Sequence, residues 1–152
     1  MVVDMKHFLG VLAILLAAAM THAQLNQQPA VPAFHPAAPS ATTKLPPLVT
    51  QKDLTPQGLI APAQTESYKA AAISSSLLYQ MPCYCYCDRS HGHSSLRSCF
   101  ESTHGASCGT CIQEALYTYR QSKKGMSAKA IRDGIMHGDY KLVDLQNVPP
   151  IK

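Results

Sequence analysis

Six cysteines and three of the seven histidines fall in one stretch of this 152-residue chain, from Cys83 to Cys111, and they carry most of its capacity for chemistry. The stretch reads MPCYCYCDRSHGHSSLRSCFESTHGASCGTC. Cys83, Cys85 and Cys87 alternate with Tyr84 and Tyr86, so an extended backbone would turn all three thiols to one side. Such neighbours stand about 6.5 Å apart along the chain with parallel Cβ vectors, which suits a disulfide poorly. Thiolates about 2.3 Å from one tetrahedral zinc need only come within about 4 Å of one another. A metal or a turn can gather the strip that way.

Cys108-Gly109-Thr110-Cys111 opens a predicted helix, where unpaired N–H groups and the helix dipole favour thiolate over thiol. C-x-x-C serves a redox pair or two metal ligands equally well. No strand precedes this helix, which argues against a thioredoxin-like βαβ setting. Cys99, His91, His93 and His104 complete the inventory of candidate ligands. His137, at a predicted helix end, reads as a helix-end cation, and His35 as an ordinary solvated side chain.

The elements that must position these groups are helical. The spacing predicts a first helix from Glu66 to Gln80, capped by Thr65, with Ala70, Ile73 and Leu77 on its buried face and Pro82 beyond its end. A second is predicted from Ser107 as cap to Lys124, burying Cys108, Ile112, Ala115 and Tyr119, with Gly125 closing it. A third follows Ser127, buries Ile131 and Ile135, and ends at Gly138. Tyr140 to Leu145 reads as a short extended tail, lying across the helices or forming an edge strand. Met81 to Ala106, long and irregular, is expected to be held by something other than an apolar core.

The fold class is therefore mainly α: a small helical module, residues 65–152, with a long Cys/His-rich loop. Residues 24–64 hold eight prolines among Ala, Gln, Ser and Thr and are expected to form a disordered tether. Residues 1–23 read as a signal peptide. Lys6 precedes an apolar run from Phe8 to Met20, too short for a bilayer span, and Thr21-His22-Ala23 resembles a cleavage exit. The expected location is extracytoplasmic: periplasm, cell envelope or secreted, with no transmembrane segment after cleavage. The net charge of +4 is spread along the chain apart from Arg120, Lys123 and Lys124, and no nucleic-acid signature accompanies it. No Ser-His-Asp spacing, carboxylate pair or phosphate loop points to an enzyme.

PCYCYC, at Pro82 to Cys87, resembles the signature of bacterial exported proteins known by a PCYCGC or CYCXC motif. HGHSSLRSCF, HGASCGTC and the helix carrying IRDGI are similar to that family as well. The resemblance implies an extracytoplasmic setting and no defined activity. It also implies that the place of Tyr86 is taken by Gly in the PCYCGC form and by selenocysteine in some CYCXC members.

Three functions stay open. The leading one is binding of a soft metal ion, Cu(I) or Zn(II), through Cys83, Cys85, Cys87, Cys99, Cys108 and Cys111, with His91, His93 and His104 as further candidate ligands. A second is thiol–disulfide exchange by Cys108 and Cys111, with Cys108 as the attacking thiol. The third is a domain stapled by three disulfides. Beyond the metal, another envelope protein is an open candidate partner.

Overall fold

Proline, glycine and two well-formed caps set most of the helix boundaries in the computed structural model, which describes residues 30–152. The signal-peptide reading and the first residues of the proline-rich stretch lie outside the described residues.

Helix α1 (Gln51–Leu54) is a single turn whose Thr50 N–H donates to the Asp53 carboxylate at 2.9 Å, and it delivers Leu54 fully into the core. Helix α2 (Pro62–Ile73) starts three residues before Thr65. Proline has no N–H to lose at the first helical position, and the Gln64 side chain accepts the Ala61 N–H at 3.0 Å. The expected single helix to Gln80 is broken at Ser74, which leaves helical geometry (φ −107°), and α3 (Ser75–Leu78) follows. The break also moves the buried face. Tyr68, Ala70, Ala71 and Leu78 are buried, whereas Ile73, expected inside, is exposed.

Helix α5 (Gly109–Lys123) is capped by Cys108, one residue beyond the expected Ser107, because Ser107 closes a 3-10 turn over Thr103–Ser107. It buries Cys111, Ile112, Ala115, Leu116 and Tyr117 and packs chiefly on α2, whose small Ser67, Ala70 and Ala71 allow close approach. Helix α6 (Ala128–His137) agrees with its sequence signals. Ser127 Oγ accepts the Ala130 N–H, Ile131 and Ile135 are fully buried, and Gly138 ends it in the left-handed region. The tail is no strand. Asp139–Leu142 forms a 3-10 turn that buries Tyr140, and Gln113 Nε2 on α5 donates to the Val143 carbonyl at 3.1 Å.

The long loop is partly ordered into α4 (Cys87–His91), a 3-10 turn over Leu96–Phe100 and the one over Thr103–Ser107. Leu96, Cys99 and Phe100 are fully buried, and Phe100 meets Tyr68 edge-on with ring centroids 4.9 Å apart. The described residues therefore contain helices and no strand. None of these helices is long and apolar enough to cross a membrane.

Residues 31–50, read from composition as part of a mobile tether, carry no regular secondary structure but lie against the module. His35 stacks on Tyr79 at 3.8 Å, Val49 N–H donates to the Phe100 carbonyl, and Ala33 N–H donates to Asp88. Arg97, almost wholly buried, donates through Nη2 to the Pro46 carbonyl at 2.7 Å and through Nε to Ser75 Oγ, and is ion-paired with Glu101. His35, expected to be solvated, is thus part of a strap.

Candidate metal centre

Two turns and one helix start bring the sulfurs together. Cys83 and Cys85 belong to a turn closed by Tyr86 N–H donating to the Cys83 carbonyl at 3.0 Å. Cys111 lies in the first turn of α5, with Cys108 at its cap. The Sγ atoms of Cys83, Cys85 and Cys111 form a near-equilateral triangle with sides of 3.3, 3.4 and 3.5 Å. Cys108, at the cap of the same helix, interacts with both Cys85 and Cys111 and is the fourth sulfur beside them. The strip and the helix thus contribute two thiols each to one group.

Cys87 belongs to the strip and also reaches a second group. Tyr86 has φ +57°, and it alone among the described non-glycine residues occupies positive φ. That kink ends the extended strip, yet the Cys87 sulfur stays within 4.8 Å of those of Cys83 and Cys85. Cys87 Sγ lies 3.2 Å from Cys99 Sγ, and His93 Nδ1 lies 3.1 and 3.3 Å from the two sulfurs. His104 joins them, so that one donor atom from each of the four residues falls within 4.8 Å of every other. His104 is placed by the Thr103–Ser107 turn, which packs so tightly on the preceding turn that a Cβ on Gly105 would stand 2.8 Å from the Cys99 carbonyl oxygen. His91 is outside this set. It is exposed, and its ring borders those of His93 and His104 at 5.7 and 4.5 Å.

All six expected cysteines and His93 and His104 are therefore gathered, while His91 stands at the rim. His137, at the end of α6, lies 2.8 Å from Asp139 and takes no part in either group. Each sulfur of the triangle has two sulfur neighbours at nearly equal distance. Disulfides join sulfurs in pairs at about 2.05 Å. A group of three is compatible with one shared metal ion.

The electrostatics agree with an ion-binding cluster. Cys85 accepts hydrogen bonds from Cys108, Cys111 and Cys83, which hold its thiol far below the ordinary range. Cys111 is pushed far up, by donating to Cys108, Cys83 and Cys85 and by burial. Cys108 is also held up. Its bond with Cys111 lowers it, but donation to Cys85 and burial outweigh that. Among these thiols Cys85 is held down, chiefly by its bonds with Cys108 and Cys111, and Cys108 is held up. Crowded thiols cannot all lose their protons unless a cation offsets the charge.

Glu114 carries a signal the sequence reading missed, a carboxyl one turn past Cys111 on the buried face of a helix. It is wholly buried. Oε1 accepts the Tyr84 N–H at 2.8 Å, and Oε2 has no hydrogen-bond partner. Burial raises its pKa to about 8 against the pull of that bond. Glu114 is then mainly neutral at pH 7 and adds little negative charge beside Cys83. An acid raised on folding binds more protons folded than unfolded, so stability falls as pH rises from about 4.5 to about 8 and is flat below that window. Urea unfolding of reduced, metal-free protein across this range should show the fall, and Glu114→Gln should flatten it.

The kink at Tyr86 makes a second test. An L side chain in the left-handed region costs about 1–2 kcal/mol. Here Arg89 stacks over the Tyr86 ring at 4.2 Å and offsets part of it. Tyr86→Gly, the residue in the PCYCGC form of the motif, should change stability by less than about 1 kcal/mol, because relieved strain, lost stacking and chain entropy nearly cancel. Tyr86→Val, stiff at Cβ and without the stacking, should cost about 1–3 kcal/mol. Denaturant midpoints of the two variants measure the contrast.

Comparison with curated proteins and with solved structures finds no match. The family described as a protein of unknown function with PCYCGC motif matches residues 11–143, which include both sulfur groups and all the helices that hold them. The chain, with PCYCYC at Pro82–Cys87, belongs to this PCYCGC-motif family.

Proposed function

We propose that this protein binds a soft metal ion, Cu(I) or Zn(II), through the thiolates of Cys83, Cys85, Cys108 and Cys111. The observation that carries the reading is the triangle of Cys83, Cys85 and Cys111 sulfurs with sides of 3.3–3.5 Å. Sulfurs about 2.3 Å from one tetrahedral ion stand about 3.8 Å apart, so a small outward movement seats the ion. Thiolates select such metals over hard cations. The downward shift of Cys85, caused by its bonds with Cys108, Cys111 and Cys83, supports ion capture, because ligands must lose their protons to bind.

The apolar run from Phe8 to Met20 supports a location outside the cytoplasm, where the protein would sequester or pass on its ion, with another envelope protein as the natural recipient. Elemental analysis combined with thiol counting on protein purified anaerobically from its native source tests the reading. Metal together with six titratable thiols after its removal is the expected result. Three disulfides and no metal would instead establish the stapled domain.

A lowered thiol beside three others also suits thiol–disulfide exchange. In that reading Cys85 is the attacking sulfur and Cys111 or Cys108 resolves it. Insulin reduction that survives Cys108→Ser but not Cys85→Ser would favour it.

A further inference from the structure

We propose that the protein holds a second ion, a divalent cation of the zinc type, in a separate site made by Cys87, Cys99, His93 and His104. The proposal rests on the four-thiolate reading above and extends it, because the two donor sets share no residue.

Three observations carry it. The first is donor geometry: Cys87, Cys99 and His93 lie 3.1–3.3 Å apart through Sγ, Sγ and Nδ1, and His104 completes a set in which every donor is within 4.8 Å of the rest. Two thiolates and two imidazoles in a tetrahedral arrangement are a zinc donor set. The second is an orphan: His104 Nε2 is buried and has no hydrogen-bond partner. Buried nitrogens find partners as a rule, and an ion held by this donor set would supply one. The third is the backbone that assembles the set. The kink at Tyr86 lets Cys87 reach Cys99 and His93 while it stays near Cys83 and Cys85, and the tight approach at Gly105 carries His104 to Cys87 and Cys99.

The two sites differ in charge as well as in ligands. A divalent ion among four thiolates leaves two negative charges. Among two thiolates and two neutral imidazoles it leaves none. The mixed site is therefore the easier one to place in a low-dielectric interior. The sites also adjoin: one sulfur each from Cys83, Cys99 and Cys111 falls within 4.8 Å of the others, so an ion in one site lies close to the ligands of the other. An ion in either site favours ionisation of the thiols that build the neighbour. A cavity of about 450 Å³ borders the mixed side, lined by His91, His93, Ser94 and Ser98 together with Pro46 and Tyr79.

Anaerobic titration of the reduced full-length chain with Co(II), read by absorption and native mass spectrometry, tests the proposal. Two equivalents should bind, and the d–d bands should be the sum of a four-sulfur centre and a two-sulfur, two-nitrogen centre at shorter wavelength. His93→Ala with His104→Ala should remove one equivalent and the shorter-wavelength component. Cys85→Ser with Cys108→Ser should remove the other. If a variant fails to fold, ¹¹³Cd NMR on the parent replaces it, with two resonances expected at the shifts of the two ligand sets. A single equivalent with four-sulfur bands, or a single four-sulfur ¹¹³Cd resonance, overturns the second site and leaves the four-thiolate reading standing. No binding of Co(II), Cd(II), Zn(II) or Cu(I) overturns both.

Discussion

Replacing Cys85 or Cys111 by serine should lower affinity for Zn(II) or Cu(I) by more than about a hundredfold, since loss of an outer-shell partner alone already costs about 10–100-fold. Each of these sulfurs touches two others of the triangle, so either change opens the site on two sides. In the parent, free metal at about a thousand times its Kd stabilises the fold by about 4 kcal/mol. At the same metal concentration a hundredfold loss removes about 2.7 kcal/mol of that, since each factor of ten is about 1.4 kcal/mol. His137→Ala, at an exposed histidine paired only with Asp139, should leave affinity unchanged. Competition with a chromogenic chelator gives the affinities, and thermal melts with and without metal give the linkage. The reduced metal-free protein should keep most of its helicity, because α2, α5 and α6 also bury Tyr68, Ala71, Leu116, Ile131 and Ile135. Amide protection should fall mainly between residues 82 and 107. Equal metal affinity in parent and both serine variants would remove the four-thiolate site.

Arg97→Ala should cost about 2–4 kcal/mol and release the proline-rich strap. The side chain is 6 % exposed and ties three pieces of chain together: Pro46 of the strap, Ser75 at the start of α3, and Glu101 beside Phe100. Its loss strands a carbonyl and a partly buried carboxylate with no donor. Limited proteolysis of the parent should leave residues 31–50 largely protected. In Arg97→Ala the cuts should appear there first, before any in α5 or α6. Rapid trimming of the parent to the start of α2 would show instead that the strap is a free tether.

The difference between strap and tether shows where composition stops informing. Proline forbids helix and strand at Pro32, Pro36, Pro46 and Pro47, and the segment has neither. Proline does not forbid docking. What holds the strap is a buried arginine fifty residues away, a tyrosine for His35 to stack on, and the backbone of Phe100, all invisible to local patterning. Helix α6 stands at the other extreme, since a serine cap, two isoleucines at helical spacing and a glycine stop are local signals that act locally. Helix α2 lies between. Its existence was legible, but its start was not, because Pro62 was counted with the tether instead of as a first helical residue.

The candidate site was legible as an inventory and only partly as a grouping. Spacing alone groups Cys87 with Cys83 and Cys85, and the three sulfurs do fall within 4.8 Å of one another. What spacing does not show is that one left-handed residue, Tyr86, bends the strip so that Cys87 also reaches Cys99 and His93. The glycine that occupies this position in the PCYCGC motif was the available clue, because positive φ is where glycine is the ordinary choice. Glu114 is not legible from the C-x-x-C pair, which ends at Cys111, one turn short of this buried carboxyl.

The placement of sulfur inside the core has a temporal consequence. Cys83, Cys87, Cys99 and Cys111 are counted among the buried residues that hold the module together, and their thiols lie within roughly 1.5 Å of covalent bonding distance. Any two-electron oxidant that reaches the reduced cluster can take a proton and an electron from each of two neighbours and join them. Six cysteines permit fifteen complete pairings. A closed pair has surrendered the lone pairs and charge that would have held an ion. Ion and oxidant therefore compete for the same sulfurs, and the first to arrive decides which protein the chain becomes.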